Sequence, residues 1–236
     1  MYRGAGRAAG SVFFKEDTAV AQFYDALNPE LRQFIEAQPM FFTATAPGLG
    51  RINLSPKAMD TFRIFDDHTV AYLDLTGSGN ETAAHLRENG RITVMFCSFG
   101  KTPMVVRLYG HGRTILKADP QWSELHQHFP ARAGARQIMM IAVESAMKSC
   151  GWNVPRMELV QRRDGVARYW ARKGDKAVVE CWSKFNSRSI DGLDSGIINR
   201  VEGGASIASG AGVKAKPAAE KKRSAMAVAR VKPSAR

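Results

Sequence analysis

The sequence predicts an α+β fold, in which a mostly antiparallel, Greek-key-like and barrel-like sheet is flanked by helices. Three segments rich in alternating apolar or β-branched residues predict strands: residues 51–55, 68–75 and 91–97. Residues 104–116 predict a longer strand containing Gly110 and Gly112, and such glycines often mark the bulge or bend that barrel closure needs. Helix start signals lie on both sides of these strands, which places helices around the sheet.

The composition predicts one folded domain with short appendages. Of the 236 residues, 44% are hydrophobic, which is enough for a sizeable core, and no apolar run reaches the roughly 18 residues of a membrane span. Three cysteines without a C-x-x-C pair favour reduced thiols and a cytoplasmic location. The first ten residues lack the apolar segment of a secretory signal. We therefore expect a flexible N terminus over residues 1–10 and a folded domain over residues 11–199.

The net charge of +12 is concentrated towards the C terminus. Residues 200–236 contain nine Lys and Arg residues, two Glu residues and no aromatic residue. This basic, Ala-, Lys- and Gly-rich tail is predicted to be disordered, because it has too little apolar periodicity to offset the entropy of ordering. The rest of the chain is only mildly basic, which argues against a nucleic-acid-binding domain. Contacts with nucleic acid are expected to be weak and confined to the tail.

The N-terminal part predicts a helix and the first strand of the barrel. Residues 13–24 are ambiguous, with a lead-in helix as one interpretation. Asn28 and Pro29 form an N-cap and a first helical position, and this helix is expected to stop before Pro39. Residues 40–46 are rich in aromatic and β-branched side chains and predict a strand, which a Pro-Gly-Leu-Gly turn follows.

The central stretch predicts an anion-binding helix start. The strand at residues 51–55 leads into a Ser-Pro-Lys corner, and a Gly-Ser-Gly-Asn loop at residues 77–80 leads into a helix that ends at Asn89. The candidate N-caps of this helix are Ser78, Asn80 and Thr82. Free backbone N–H groups and the positive end of the helix dipole attract anions, and Lys57 is the candidate compensating charge. The hypothesis is a bound phosphate group, and the alternative is an ordinary turn with a capped helix.

The second half of the chain predicts helices that cover the barrel or flank a cleft. Four helices are predicted, starting at Asp119, Ala135, Asp164 and Asp175. The second spans residues 135–149 and is closed by Gly151, because glycine is common just past a helix end. The third ends near Gly174.

The order of the predicted parts resembles that of the pyridoxamine phosphate oxidase-like family of FMN-binding split β-barrels. In that family a basic corner, a second strand and a loop-to-helix start precede an Asn-x-Arg-hydrophobic strand, here residues 89–92. The resemblance covers residues 27–193. Residues 150–155, C-G-W-N-V-P, and 186–193, N-S-R-S-I-D-G-L, resemble one branch of the family, from which the chain departs at Asp194, where proline is usual.

The resemblance implies an FMN cofactor and a homodimer with the flavin between subunits. The implied cofactor-binding residues are Arg51, Ser55, Lys57, Ser78, Asn80, Thr82 and Arg107. Arg107 has two interpretations, an ion pair with a core carboxylate or contact with the flavin across the subunit boundary. Thr82 stands where the true oxidases have a phosphate-binding lysine, and their C-terminal Arg-x-His arrangement is not found. The vitamin-salvage reaction is therefore not implied.

The implied function is that of a flavin-dependent oxidoreductase acting on a small molecule, in which the flavin carries the chemistry. No catalytic residue is assigned, because no Ser/His/Asp or Cys/His signature is recognised, and the histidines form no metal-ligand set. The alternative is a split-barrel binding protein without turnover, which holds haem, a deazaflavin or FMN for storage or sensing. His111 is the residue of interest if the ligand is haem.

Overall fold

The chain is organised around an antiparallel sheet of eight strands. The computed structural model describes residues 21–198, with only the backbone of Met59. The strands are β1 (Ala21–Tyr24), β2 (Met40–Thr45), β3 (Asn53–Ala58), β4 (Phe62–Ile64), β5 (Thr69–Leu75), β6 (Arg91–Cys97), β7 (Met104–Leu116) and β8 (Ala135–Cys150). The helices are α1 (Pro29–Glu36), α2 (Glu81–Asn89), α3 (Trp122–His126) and α4 (Gly165–Cys181), with a π-helical turn at Trp182–Asn186. The predicted N-terminal segment and basic tail lie outside the described residues and stay predictions.

The strand order makes the sheet curl into a half-barrel. Across the sheet the order is β3-β2-β6-β7-β8-β5-β4, with β1 also beside β8. Four strands separate β3 from β5 in this order, yet Lys57 Nζ on β3 lies 2.9 Å from Asp74 Oδ1 on β5. The two ends of the sheet therefore approach each other, and the predicted α+β, barrel-like class is confirmed.

The long central strand β8 corrects a prediction. Residues 135–149 were expected to form a helix closed by Gly151, and the Ala, Met, Glu and Lys residues of this segment are indeed helix formers. One edge of β8 instead pairs with β7 along the full length of that strand, and the other edge pairs with β5 and then β1. These tertiary backbone hydrogen bonds override the local helical preference.

A bulge interrupts the β7–β8 ladder, as the glycines of β7 suggested. Tyr109 pairs with Ser145 and Gly110 with Val143, so Glu144 is an extra residue on β8. A Cβ atom on Gly110 would lie 2.0 Å from the carbonyl oxygen of Ala142. Only glycine fits this close backbone approach.

Strand β3 also differs from its prediction. The Ser-Pro-Lys sequence is not a corner after the strand but lies within β3, and Pro56 is tolerated because β3 is an edge strand. Ile52 and Leu54 are 77% and 64% exposed, whereas Ser55 and Lys57 are half-buried on the opposite face. The polar face of β3 thus lines the interior, and its apolar face points outward.

The core lies on the concave side of the sheet. Four aromatic rings meet there at centroid distances between 5.1 and 5.8 Å, contributed by Phe41, Phe62, Tyr72 and Phe96. Helix α1 covers one end with Leu31 and Ile35, and its predicted cap is confirmed because Asn28 Oδ1 accepts a hydrogen bond from the Leu31 N–H at 2.9 Å. This core holds the strands that carry the candidate site.

The C-terminal helical segment packs against the end of the barrel. The two helices predicted around Gly174 are the halves of α4, which kinks at this residue (φ 77°, ψ 169°). Val178 and Trp182 are buried with Leu116 and Ile197. Within residues 21–198, no helix has the length and apolar character to span a membrane. The short strand β1 occupies part of the segment interpreted as a lead-in helix.

Candidate functional site

A cavity of about 290 Å³ lies between the polar face of β3 and the start of α2. We call it the β3–α2 cavity. Its lining includes five of the seven predicted cofactor-binding residues: Ser55, Lys57, Ser78, Asn80 and Thr82. A groove of about 390 Å³ on the outer face of the sheet is larger, but the predicted residues and a charged network converge on the smaller cavity.

The strand geometry that brings these residues together was predicted incorrectly. The predicted strands at residues 51–55 and 68–75 are consecutive in the chain, and consecutive strands are expected to be neighbours in the sheet. In fact β3 pairs with β2, and β5 pairs with β4 and β8. The residues meet because the sheet curls, so that its two ends face each other across the cavity.

A buried carboxylate organises the charges of the cavity. Asp74 has a side chain only 2% exposed, and its Oδ1 atom accepts a hydrogen bond from Lys57 Nζ at 2.9 Å. Its Oδ2 atom accepts hydrogen bonds from Arg136 Nε at 3.0 Å, Arg136 Nη2 at 2.5 Å and Gln137 Nε2 at 2.9 Å. Burial alone would raise the pKa of Asp74, but the Arg136 and Lys57 cations outweigh it and hold the pKa well below its ordinary value.

The three charged groups together carry one net positive charge. Lys57 and Arg136 are cations and Asp74 is an anion at neutral pH, so the network favours a further anion nearby. An ammonium group has three N–H donors, and Asp74 is the acceptor for one from Lys57. Glu81 opposes this preference, although its carboxylate is directed to the backbone N–H of Ile190, at 3.0 and 3.1 Å from the two oxygens.

The start of α2 is not capped by a side chain. Asn80 occupies the N-cap position, but its side chain accepts no hydrogen bond from the first turn. Instead its Oδ1 atom accepts a hydrogen bond from Gln137 Nε2 at 2.6 Å, and its Nδ2 group donates to the Asn186 carbonyl at 3.3 Å. The first N–H groups of a helix have no intrahelical acceptor, so an uncapped start beside a cavity suits an anion.

The other candidate N-caps have different positions. Thr82 is buried within the first turn of α2, where its hydroxyl accepts a hydrogen bond from Asn53 Nδ2 at 3.0 Å. Ser78 lies in the loop and lines the cavity. Thr82 is uncharged, and the basic residues that line the cavity are Lys57 and Arg136.

Two predicted residues are outside the cavity lining. Arg51 forms an ion pair with Asp191, and its backbone N–H donates to Asp191 Oδ2 at 2.6 Å. Arg107 lies on β7 and donates a hydrogen bond to Ser149 Oγ at 3.4 Å. One interpretation expected an ion pair between Arg107 and a core carboxylate, but the observed contact is with this hydroxyl. Within the described residues, neither guanidinium group joins the Asp74 network.

Sequence reasoning missed several residues of the site, among them Gln137, which donates to both Asp74 and Asn80. Arg136 was hidden by the incorrect helix at residues 135–149. Asp74, a lone acid within a strongly apolar strand, was a usable signal, because a buried carboxylate needs a cationic partner. Asn186 begins one of the recognised sequence elements, but nothing in the sequence alone indicates that it reaches the loop at residues 77–80.

Comparison with known proteins gives consistent results over this region. Residues 27–150 match the family model described as pyridoxamine 5′-phosphate oxidase. The chain is similar to the pyridoxamine 5′-phosphate oxidase family protein ustO of Aspergillus flavus, with 38% identity over 191 residues, covering 72% of this chain and 76% of the relative.

Similar solved structures have much lower sequence identity. HupZ of Group A Streptococcus is 22% identical, with a TM-score of 0.41, covering 50% of this chain and 90% of that chain. A putative pyridoxamine 5′-phosphate oxidase of Lactobacillus delbrueckii is 13% identical, with a TM-score of 0.43, covering 52% and 94%. An FMN-binding protein of Syntrophomonas wolfei is 15% identical, with a TM-score of 0.38, covering 55% and 85%.

Proposed function

The chain belongs to the pyridoxamine 5′-phosphate oxidase family, and from this premise we propose that it binds FMN in the β3–α2 cavity. We further propose that it is a flavin-dependent oxidoreductase acting on a small molecule. The observation that carries the proposal is the convergence of Ser55, Lys57 and Ser78 on the uncapped start of α2. A dianionic phosphate is suited to this combination of backbone N–H donors and a lysine cation.

The residues of the cavity have distinct roles in this proposal. Lys57 provides charge-assisted hydrogen bonds to the phosphate, while Asp74 fixes the position of its ammonium group. Ser78 provides a hydroxyl donor, and the Ser55 hydroxyl, which donates to Asn53 Oδ1 at 3.0 Å, would turn from that acceptor to the phosphate. Arg136 keeps Asp74 ionised and donates to the Gly79 carbonyl at 2.9 Å, which orients the loop. These groups bind and orient, and bound FMN supplies the hydride or electron transfer.

The proposed assembly is a homodimer. Side chains on the outer face of β2, β6 and β7 are half-buried rather than covered, among them Phe42, Met95 and Tyr109. The same face continues to the exposed Ile52 and Leu54 on and beside β3. An apolar face of this extent suits a second copy of the chain better than solvent. The resemblance to the family further implies that the flavin lies between the subunits.

The test is to identify the small molecule that the purified protein carries. Denaturation followed by mass spectrometry should release FMN, and the folded protein should have a flavin absorption spectrum. The stripped protein should bind added FMN more tightly than riboflavin, which lacks the phosphate. A Soret band and released haem would instead support the non-catalytic alternative. A protein that carries no ligand and binds neither flavin would contradict the proposal.

A further inference from the structure

We propose that Asn186, together with Trp170 and Trp182, is a positioning element that holds the loop at residues 76–80 in its ligand-binding conformation. The inference rests on the proposed function for the identity of the ligand, but not for the contacts themselves. All three residues lie beyond residue 150, where the match to the family model ends. Asn186 begins the element at residues 186–193 that resembles one branch of the family.

The loop is intrinsically flexible. Its sequence, Thr-Gly-Ser-Gly-Asn, contains two glycines, which lose more conformational entropy on ordering than other residues do. A phosphate site needs the loop N–H groups to point in fixed directions before the ligand arrives. Some other part of the molecule must therefore restrict the loop.

The two tryptophans hold the first residue of the loop. Trp170 Nε1 donates to the Thr76 carbonyl at 2.9 Å, and Trp182 Nε1 donates to the Thr76 hydroxyl at 2.8 Å. The Thr76 hydroxyl and backbone N–H both donate to the Gly134 carbonyl at 2.8 Å. A Cβ atom on Gly134 would lie 2.4 Å from the Trp170 ring, so glycine is what lets the indole reach Thr76.

Asn186 holds the next residues and is fully buried. Its Nδ2 group donates to the Gly77 carbonyl at 3.1 Å, and its Oδ1 atom accepts a hydrogen bond from Arg136 Nη1 at 2.7 Å. Its carbonyl accepts hydrogen bonds from Asn80 Nδ2 at 3.3 Å and Ser195 Oγ at 2.6 Å. Asn186 thus links the loop, the helix start and the buried charge network.

The direction of the loop N–H groups follows from these contacts. The carbonyls of Thr76, Gly77 and Gly79 accept hydrogen bonds from Trp170, Asn186 and Arg136. In a trans peptide unit, the N–H group points opposite to the carbonyl of the preceding residue. The N–H groups of residues 77, 78 and 80 therefore point away from those side chains, which leaves them available to a ligand.

The experiment compares Asn186→Ala with Asn89→Ala in the full-length protein. Asn89 is a matched control at the other end of α2, where its Nδ2 group donates to the Ala46 carbonyl at 2.8 Å. Amide hydrogen exchange over residues 76–84 is measured by mass spectrometry without ligand, and the reporting amides are those of Thr76 and Ala84, which donate to the Gly134 and Asn80 carbonyls. Asn186→Ala should speed exchange of these hydrogen-bonded amides about tenfold, as expected for the loss of one net hydrogen bond to the loop, and Asn89→Ala should not.

Flavin binding provides the second readout. Asn186→Ala should weaken FMN binding about tenfold and leave riboflavin binding unchanged, since only FMN uses the loop N–H groups. Equal weakening of both flavins, or unchanged exchange over residues 76–84, would overturn the proposal. If Asn186→Ala does not fold, Trp170→Phe keeps the ring and removes one hydrogen bond to Thr76, and the same outcomes apply. A parent protein that binds no flavin would contradict the proposed function, whereas hydrogen exchange would still test the positioning element.

Discussion

At the scale of single residues, the site depends on one buried carboxylate that serves two cations. Asp74 was not predicted from the sequence, because the pairing of an acid on β5 with cations on β3 and β8 is a tertiary event. Lys57 was predicted, since a basic corner, a second strand and a glycine-containing helix start follow one another in the order that resembles the family. The residue types of the site were therefore predictable, and the network that gives them their geometry was not.

Replacing Lys57 tests the phosphate contact. A charge-assisted hydrogen bond contributes roughly 1.5–3 kcal/mol, so Lys57→Ala should weaken FMN binding roughly ten- to a hundredfold. Riboflavin should bind the variant and the parent about equally. Titration with both flavins, using the exposed-loop variant Lys101→Ala as a control, makes the comparison. Unchanged FMN affinity, or an equal loss for riboflavin, would place the phosphate elsewhere.

Replacing Asp74 tests the charge network. Asp74→Asn leaves Lys57 and Arg136 without their buried counter-charge and should destabilise the fold by about 3–5 kcal/mol. Chemical denaturation at pH 7 measures the change. The control is Asp67→Asn, which removes a surface pair with Arg32 in which the Asp67 side chain is 64% exposed, and it should cost less than about 1 kcal/mol.

The same carboxylate predicts how stability depends on pH. The folded-state pKa of Asp74 is depressed below its ordinary value of 3.8, so its stabilisation is present above that value. It should be lost progressively as the pH falls below about 5, because the unfolded chain then takes up the proton first. The free energy of unfolding should decrease more steeply between pH 5 and 3 in the parent than in Asp74→Asn. Parallel curves would show that another group is responsible.

At the scale of elements, a helix or strand was predictable where its sequence signal is local and was not where it depends on tertiary pairing. Helix α1 was predicted because its start is local, an asparagine cap followed by Pro29. Strand β8 was not, because Ala, Met, Glu and Lys in its sequence favour a helix and only pairing on both edges makes it a strand. The glycines of β7 were informative, since a bulge demands a residue without a Cβ atom.

The β7–β8 bulge gives a testable consequence for stability. Gly110→Ala places a Cβ atom against the Ala142 carbonyl, where backbone cannot easily move, and should destabilise the fold by about 3 kcal/mol. Gly165→Ala is the control, because a Cβ there meets no atom within 4 Å, and its effect should stay within about 1 kcal/mol. Thermal or chemical unfolding of both variants makes the measurement. Similar effects of the two changes would contradict the bulge geometry.

At the scale of the whole molecule, the apolar outer face of the half-barrel predicts the oligomeric state. Light scattering should give twice the chain mass of 25.9 kDa. Leu54→Lys places a charge on the exposed side of β3 and should shift the protein towards monomer. Val166→Lys, at a half-exposed position on α4, should leave the mass unchanged. A flavin-loaded parent monomer would contradict the prediction.

The fold class was predictable at this scale because strand alternation and glycine positions recur along the chain. Which face of β3 points to the interior was not predictable, since Ile52 and Leu54 look like core residues when no partner surface is known. Their outward position is consistent with the proposed assembly of two chains, and the partner surface of such an assembly is not visible in one sequence.

Pro56 on the edge strand β3 has a consequence for how copies of the chain associate. A proline fits within a paired strand only where its nitrogen faces the unpaired edge, and it offers no N–H group there. The free edge of β3 therefore interrupts any continuous ladder that another strand would build on it. Growth by strand addition, which is open-ended and leads to fibres, is disfavoured along this edge. The proposed association through side-chain faces does not use this strand edge, so Pro56 opposes strand addition without opposing the proposed complex of two copies.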